Sequence, residues 1–112
     1  MVQVGQKRQA ITLDGTELTT EEKAAGSIYY GRKTITAAGT QEAIGSVTIK
    51  LVSIKALPTN TGNVYVGGKH VSSTSGYILE ASQSIDIDVN DLDKVYIDVD
   101  TNGEGVCFLA II

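Results

Sequence analysis

The segment DVDTNGEG, residues 98 to 105, sets Asp98, Asp100 and Asn102 at every second position with Gly103 directly behind. Oxygen ligands spaced in this way open a calcium loop of the EF-hand kind. The twelfth position of such a loop must supply a bidentate glutamate, and counted from Asp98 that position is Leu109. Both flanks alternate as strands rather than helices, so an EF-hand is excluded. A looser metal site remains open, built from Asp98, Asp100 and Asn102, with Glu104 as a further oxygen donor at a hairpin end. The competing reading is structural. Asn102-Gly103 is a hairpin turn signal, and the aspartates are the outward row of the strand before it.

Other chemistry has fewer supporters. His70, the one histidine, lies in the glycine- and serine-rich passage GGKHVSSTSG, which reads as a loop. Cys107, the one cysteine, lies in the most apolar stretch, where a thiol behaves as a small hydrophobe. Neither has a triad around it, and a zinc cluster of nitrogen and sulfur ligands cannot be assembled within one chain. Asp86, Asp88, Asp98 and Asp100 offer paired carboxylates. Glycosidase work, however, also needs aromatic sugar platforms and one raised pKa, and the chain has no tryptophan and a single phenylalanine. A solvated acidic face that keeps sheets from sticking is the stronger reading. No phosphate-cradling motif is present and no cofactor is expected, because Gly103-Glu104-Gly105 has no helix behind it.

With 112 residues, 42% of them apolar, the chain makes a single domain with one core. No apolar run reaches the roughly 20 residues that cross a bilayer, and no leader pattern opens the sequence. Synthesis in a cytosol is therefore expected, with no membrane partner. The net charge is −4, and residues 80 to 104 carry eight acidic groups against Lys94 alone. Such a surface repels nucleic acid.

The pattern divides near residue 33. Residues 1 to 33 read as an N-terminal arm or peripheral segment, in which VQV and AITL are short strands. TTEEKAAGS makes at most one short helix, capped by Thr19 with Glu22 and stopped at Gly26. Residues 34 to 112 read as a single β domain with period two. KTITAA is a first strand. In SVTIKLVSIKAL, Val47, Ile49 and Leu51 share a face until the doublet Leu51-Val52 shifts the phase to Ile54 and Ala56, as a bulge or a crossing between sheets would do. NVYVG and GYILE follow. Then Ile85, Ile87 and Val89 alternate with Asp86, Asp88 and Asn90, and Val95, Ile97 and Val99 point inward while Tyr96, Asp98 and Asp100 point out. About seven short strands joined by polar turns predict an all-β fold, an antiparallel sandwich or barrel.

The last strand, GVCFLAII, is apolar on both faces: Val106, Phe108, Ala110 and Ile112 on one, Cys107, Leu109 and Ile111 on the other. A sheet wetted on one side cannot bury both rows in its own core. Val106, Cys107, Phe108, Leu109 and Ile111 are therefore the expected oligomer or partner interface, with the N-terminal segment as the alternative cover.

The block running from IKALPTNTGNVYVGGKHVSSTSGYILEASQSIDIDV to DLDKVYIDVDTNGEGVCFLAII resembles small β-rich virion proteins of tailed bacteriophages, of the capsid decoration or head-fibre kind. The match spans about residues 47 to 110. It rests on an apolar strand before NTGNVYVGG, the GYIL segment, the DLDKVYI strand and the glycine-bounded last strand. Where such sequences often turn with Pro-Gly, this chain has Glu80-Ala81-Ser82-Gln83. The resemblance implies a non-enzymatic virion component on the outer capsid surface, a trimer or another symmetric homo-oligomer with the trimer favoured, partnered by the major capsid protein. It transfers no catalytic residue. The other class to weigh is a tail-tip or fibre module that recognises a host surface glycan or protein, with TNTGN, KHVSSTSG, Tyr65 and Tyr77 as its rim.

Overall fold

A computed structural model describes residues 26 to 112, together with two short strands before them, β1 (Ala10–Thr12) and β2 (Gly15–Thr16), which pair antiparallel. The VQV strand and the helix expected from Thr19 onward lie outside the described residues. The remaining strands are β3 (Ile28–Thr34), β4 (Glu42–Ala43), β5 (Leu51–Ala56), β6 (Val64–Gly67), β7 (Tyr77–Leu79), β8 (Ser84–Ile87), β9 (Tyr96–Val99) and β10 (Gly105–Ile111). Among the described residues the only helical element is a 3-10 turn, Leu92–Lys94, capped by Asp91, whose side chain accepts from the Asp93 amide.

The strands form two four-stranded sheets. Sheet I has the order β3-β10-β5-β8 and sheet II the order β4-β9-β6-β7, and every pairing is antiparallel. β6 pairs with β7, β5 with β8, β4 with β9 and β3 with β10, as in one long hairpin whose tip lies between β6 and β7. Rolled up, that hairpin brings β5 beside β10 and β6 beside β9. This is the double Greek key of a jelly roll. The all-β sandwich expected from the sequence is thus present, with eight strands in place of about seven and no barrel closure, since β3, β8, β4 and β7 remain as edges.

The period-two pattern explains which residues meet between the sheets. Val52, Ile54 and Ala56 of β5 and Val106, Phe108 and Ala110 of β10 project from sheet I, against Val64 and Val66 of β6 and Ile97 and Val99 of β9 from sheet II. Each fully buried aliphatic side chain contributes about 1.5–3 kcal/mol of transfer free energy. Ile85, Ile87 and Val89 close the β8 margin half-buried against this core. Leu92, on the 3-10 turn, plugs one end with no exposure at all.

Three local expectations are corrected. The first strand of the sandwich is not KTITAA but Ile28–Thr34, which straddles residue 33. Only Ile35 continues its pairing, through its amide to the Glu104 carbonyl, before the chain turns at Ala37–Thr40. The phase shift at Leu51-Val52 is a bend at Lys50. There the chain leaves an isolated bridge from Thr48 to Asp91 and enters β5, so Ile49 is buried, Leu51 faces outward and Val52 faces in. Finally, Asn102-Gly103 does not close a hairpin. β9 and β10 belong to different sheets, and the turn between them is a crossover.

Candidate functional site

The end of β9 and that crossover together hold every candidate metal ligand. The crossover turn is closed by the Glu104 amide to the Thr101 carbonyl, with Gly103 at φ 83°. Asp98 belongs to β9 and Asp100, Asn102 and Glu104 to the turn that follows it, and this row of acceptors is shared between two neighbouring loops. Asp98 Oδ1 accepts the Gly39 amide at 2.9 Å and its own neighbour's, Val99, at 2.8 Å. Asn102 Oδ1 accepts the Ala38 amide at 2.8 Å. These two hold the loop after β3. Asp100 and Glu104 hold the loop after β5: Asp100 accepts the Asn63 amide at 3.1 Å, and Glu104 accepts Thr61 and Gly62 amides at 2.7 and 3.0 Å and the Thr61 hydroxyl at 2.8 Å.

Three consecutive amides, Thr61 to Asn63, therefore form an anion-binding concavity that the chain's own carboxylates fill. The amide donors hold the Glu104 carboxyl below the ordinary glutamate range, Gly62 contributing most and Thr61 next. Tyr65 donates its phenol to Asp100, 2.9 and 3.0 Å from the two oxygens, and this bond, then burial, raises the phenol above its ordinary value. One expectation is reversed here. Asp98 is not on a wet face, for the loop at Ala38–Gly39 covers it to 3% exposure. The row accordingly acts as a latch between loops. Among the described residues no three His, Cys, Asp or Glu side chains converge as a metal set, and the oxygens of Asp98 and Asn102 are taken up by the Gly39 and Ala38 amides while Asp100 accepts from Asn63 and Tyr65.

The expected interface residues are divided by the sheet. Val106 and Phe108 are at 0% and 8% exposure in the core, whereas Leu109 is 49% exposed and Cys107 and Ile111 are half-buried on the outer face of sheet I. Cys107 Sγ lies 3.7 Å from the Lys55 carbonyl. β3 does not cover this outer row. It pairs edge to edge with β10 in register Leu109↔Tyr30 and Ile111↔Ile28, and so extends the apolar face with Ile28 and Tyr30. Leu51 of β5 adds to it from the other side, opposite Ile111. The sequence reading missed Ile28, Tyr30 and Leu51. The alternation within IYYGRKT was the available signal.

The loops proposed as a recognition rim separate as well. TNTGN spends its amides on the latch, and Tyr65 is buried in strand packing. His70 is exposed in the loop after β6, which Val71 anchors in the interior, beside a hydroxyl cluster of Ser72, Thr74 and Ser75. Tyr77 is exposed on the edge strand β7.

Comparison with known proteins adds no relative: no family model matches the chain, and no curated protein or solved structure matches it.

Proposed function

We propose that this chain is a non-enzymatic structural protein of a phage particle, a capsid decoration protein that binds the outer capsid surface through contact with the major capsid protein and reinforces the shell as a symmetric homo-oligomer. The observation that carries this reading is the outer face of sheet I, where Ile28, Tyr30, Leu51 and Leu109 stand exposed together although the core is already closed without them. Apolar surface gathered on one face marks an interaction site. Two further facts support it. The carboxylates of Asp98, Asp100 and Glu104 are engaged by backbone amides, which suits a rigid scaffold. The double Greek key is an architecture used by viral capsid domains, a likeness of fold that leaves role to the surface.

The test is position in the particle. Antibody-labelled or tagged protein on purified virions is expected over the head, and label confined to the tail refutes the reading. Docking through the N-terminal arm is tested by removing residues 1–25. Deletion through residue 32 is unsuitable because it destroys β3. The truncated protein is expected to keep its β circular dichroism and lose capsid binding, and undiminished binding refutes a docking arm.

A tail-tip or fibre module recognising a host glycan or protein is the second reading. It is favoured by Tyr77, 60% exposed beside the hydroxyl-rich loop at residues 72 to 75. The same labelling experiment separates the two.

A further inference from the structure

The outer face of sheet I reads in rows across its four strands. Arg32, Cys107, Lys55 and Ser84 make one row, and Tyr30, Leu109, Ser53 and Asp86 the next. The third is Ile28, Ile111 and Leu51. Its two halves differ. The β3–β10 half is bulky and apolar with Arg32 at its margin. The β5–β8 half carries Leu51, Ser53, Lys55, Ser84 and Asp86, and a hollow of about 380 Å³ at its boundary with β10 is lined by Ser53, Lys55, Ser84, Cys107, Phe108 and Leu109.

We infer that this face pairs with the same face of a second copy, about a twofold axis that runs along the strands between β10 and β5. Half a turn about that axis lays β3 of one copy over β8 of the other, and β10 over β5. Leu109 then comes over Ser53 and the hollow beside it, Ile111 over Leu51, Cys107 over Lys55, and Arg32 over Ser84, one row along the strand from Asp86. Leu109 meets a small side chain, Ile111 meets Leu51, and the long Arg32 side chain extends diagonally toward the Asp86 carboxylate one row away, each contact made twice, as an isologous pairing requires. The sheets would stack about 10 Å apart, with strands within about 30° of parallel, as in a sandwich. A twofold pair is a symmetric oligomer other than the trimer that the resemblance favours.

This inference deepens the homo-oligomer part of the proposed function. It is measured on purified full-length protein without capsids, so its failure and a failure of capsid binding are distinguishable. Sedimentation velocity between roughly 1 and 100 µM, which brackets micromolar dissociation constants, is expected to show a mass of two chains. Leu109→Glu should raise the dissociation constant about tenfold or more while leaving the circular dichroism of the folded chain intact. Arg32→Glu and Asp86→Arg should each weaken the pair, and the double exchange should restore it. A monomer throughout the range, as expected if residues 1–25 of the same chain cover the face, overturns the inference. So does a trimer, a Leu109→Glu protein that associates like the parent, or a double exchange no tighter than the single ones.

Discussion

Glu104 accepts the amides of Thr61 and Gly62 at 2.7 and 3.0 Å, and so ties the loop that follows β5 to the crossover that carries the chain from sheet II to sheet I. The bond joins residues more than forty positions apart, at a point where no strand pairing holds the two segments together. A loop held in this way depends on a charge, and charge depends on pH.

The first prediction follows from the sign of that dependence. The Glu104 carboxyl is lowered in the folded chain by its amide donors. Its stabilising contribution is therefore complete above the ordinary glutamate pKa of about 4.3, and is lost as pH falls through the lower folded value. Thermal unfolding of the parent and of Glu104→Gln should differ most at neutral pH and converge in acid, below the ordinary glutamate value. Asp93 acts in the opposite sense. Its carboxyl is raised by desolvation and by the neighbouring Asp91, so its contribution is present at low pH and lost as pH rises. The comparison of parent with variant cancels it, since both proteins keep Asp93.

Asp98 carries the second. It lies at 3% exposure and accepts the Gly39 and Val99 amides. Asp98→Ala leaves the amide of buried Val99 and that of Gly39 without their acceptor and should cost about 1–3 kcal/mol in urea unfolding. Asp98→Asn keeps an acceptor oxygen and should cost less. Because the row of oxygens is already engaged, calcium at about 1 mM, enough to fill weak extracellular-type sites, should leave the melting temperature unchanged. A rise would return the segment to metal chemistry.

These residues show where a sequence stops being legible. Strict alternation in SIDIDVND and KVYIDVD exposes the inward rows Ile85, Ile87, Ile97 and Val99, because a strand between a core and water has period two whatever surrounds it. The same rule misplaces Asp98, since a residue on the outward row is wet only if nothing folds over it. The covering loop comes from residues 36–40, sixty positions upstream, and leaves no local mark. Asn102-Gly103 likewise advertises a turn correctly but not its destination. Whether the next strand pairs with the last or crosses to another sheet is decided by the long-range pairings of β10 with β3 and β5. The double apolarity of GVCFLAII did announce an uncovered face, although which of its residues belong to that face required the register.

Leu92 gives a third prediction. In DLDKVY it reads as a lone apolar residue among charges, yet the 3-10 turn rotates it into the end of the sandwich with no exposure, against Gly45, where an added Cβ would lie 3.0 Å from its Cδ1. Leu92→Ala opens a cavity that the two sheets cannot close without losing strand pairing. A loss of about 2–5 kcal/mol is expected from urea or guanidinium midpoints, with the slope of the transition unchanged.

The last prediction sets two neighbouring glycines against each other. Gly103 has φ 83° and open space where a Cβ would stand. Gly105 has ordinary strand geometry, but an added Cβ would lie 2.0 Å from the Lys33 carbonyl oxygen, on the backbone of the paired strand β3. Gly103→Ala thus meets only the strain of a left-handed backbone, about 1–2 kcal/mol. Gly105→Ala must push β3 away from β10, which also pulls on the Asn60 side chain that donates to the Gly105 carbonyl at 2.9 Å. Its cost should exceed about 4 kcal/mol, the exceptional range for one substitution. Equilibrium unfolding of the two variants side by side checks the order. A Gly103→Ala protein less stable than Gly105→Ala would mean that the turn, and not the close approach of β3, decides whether the crossover forms.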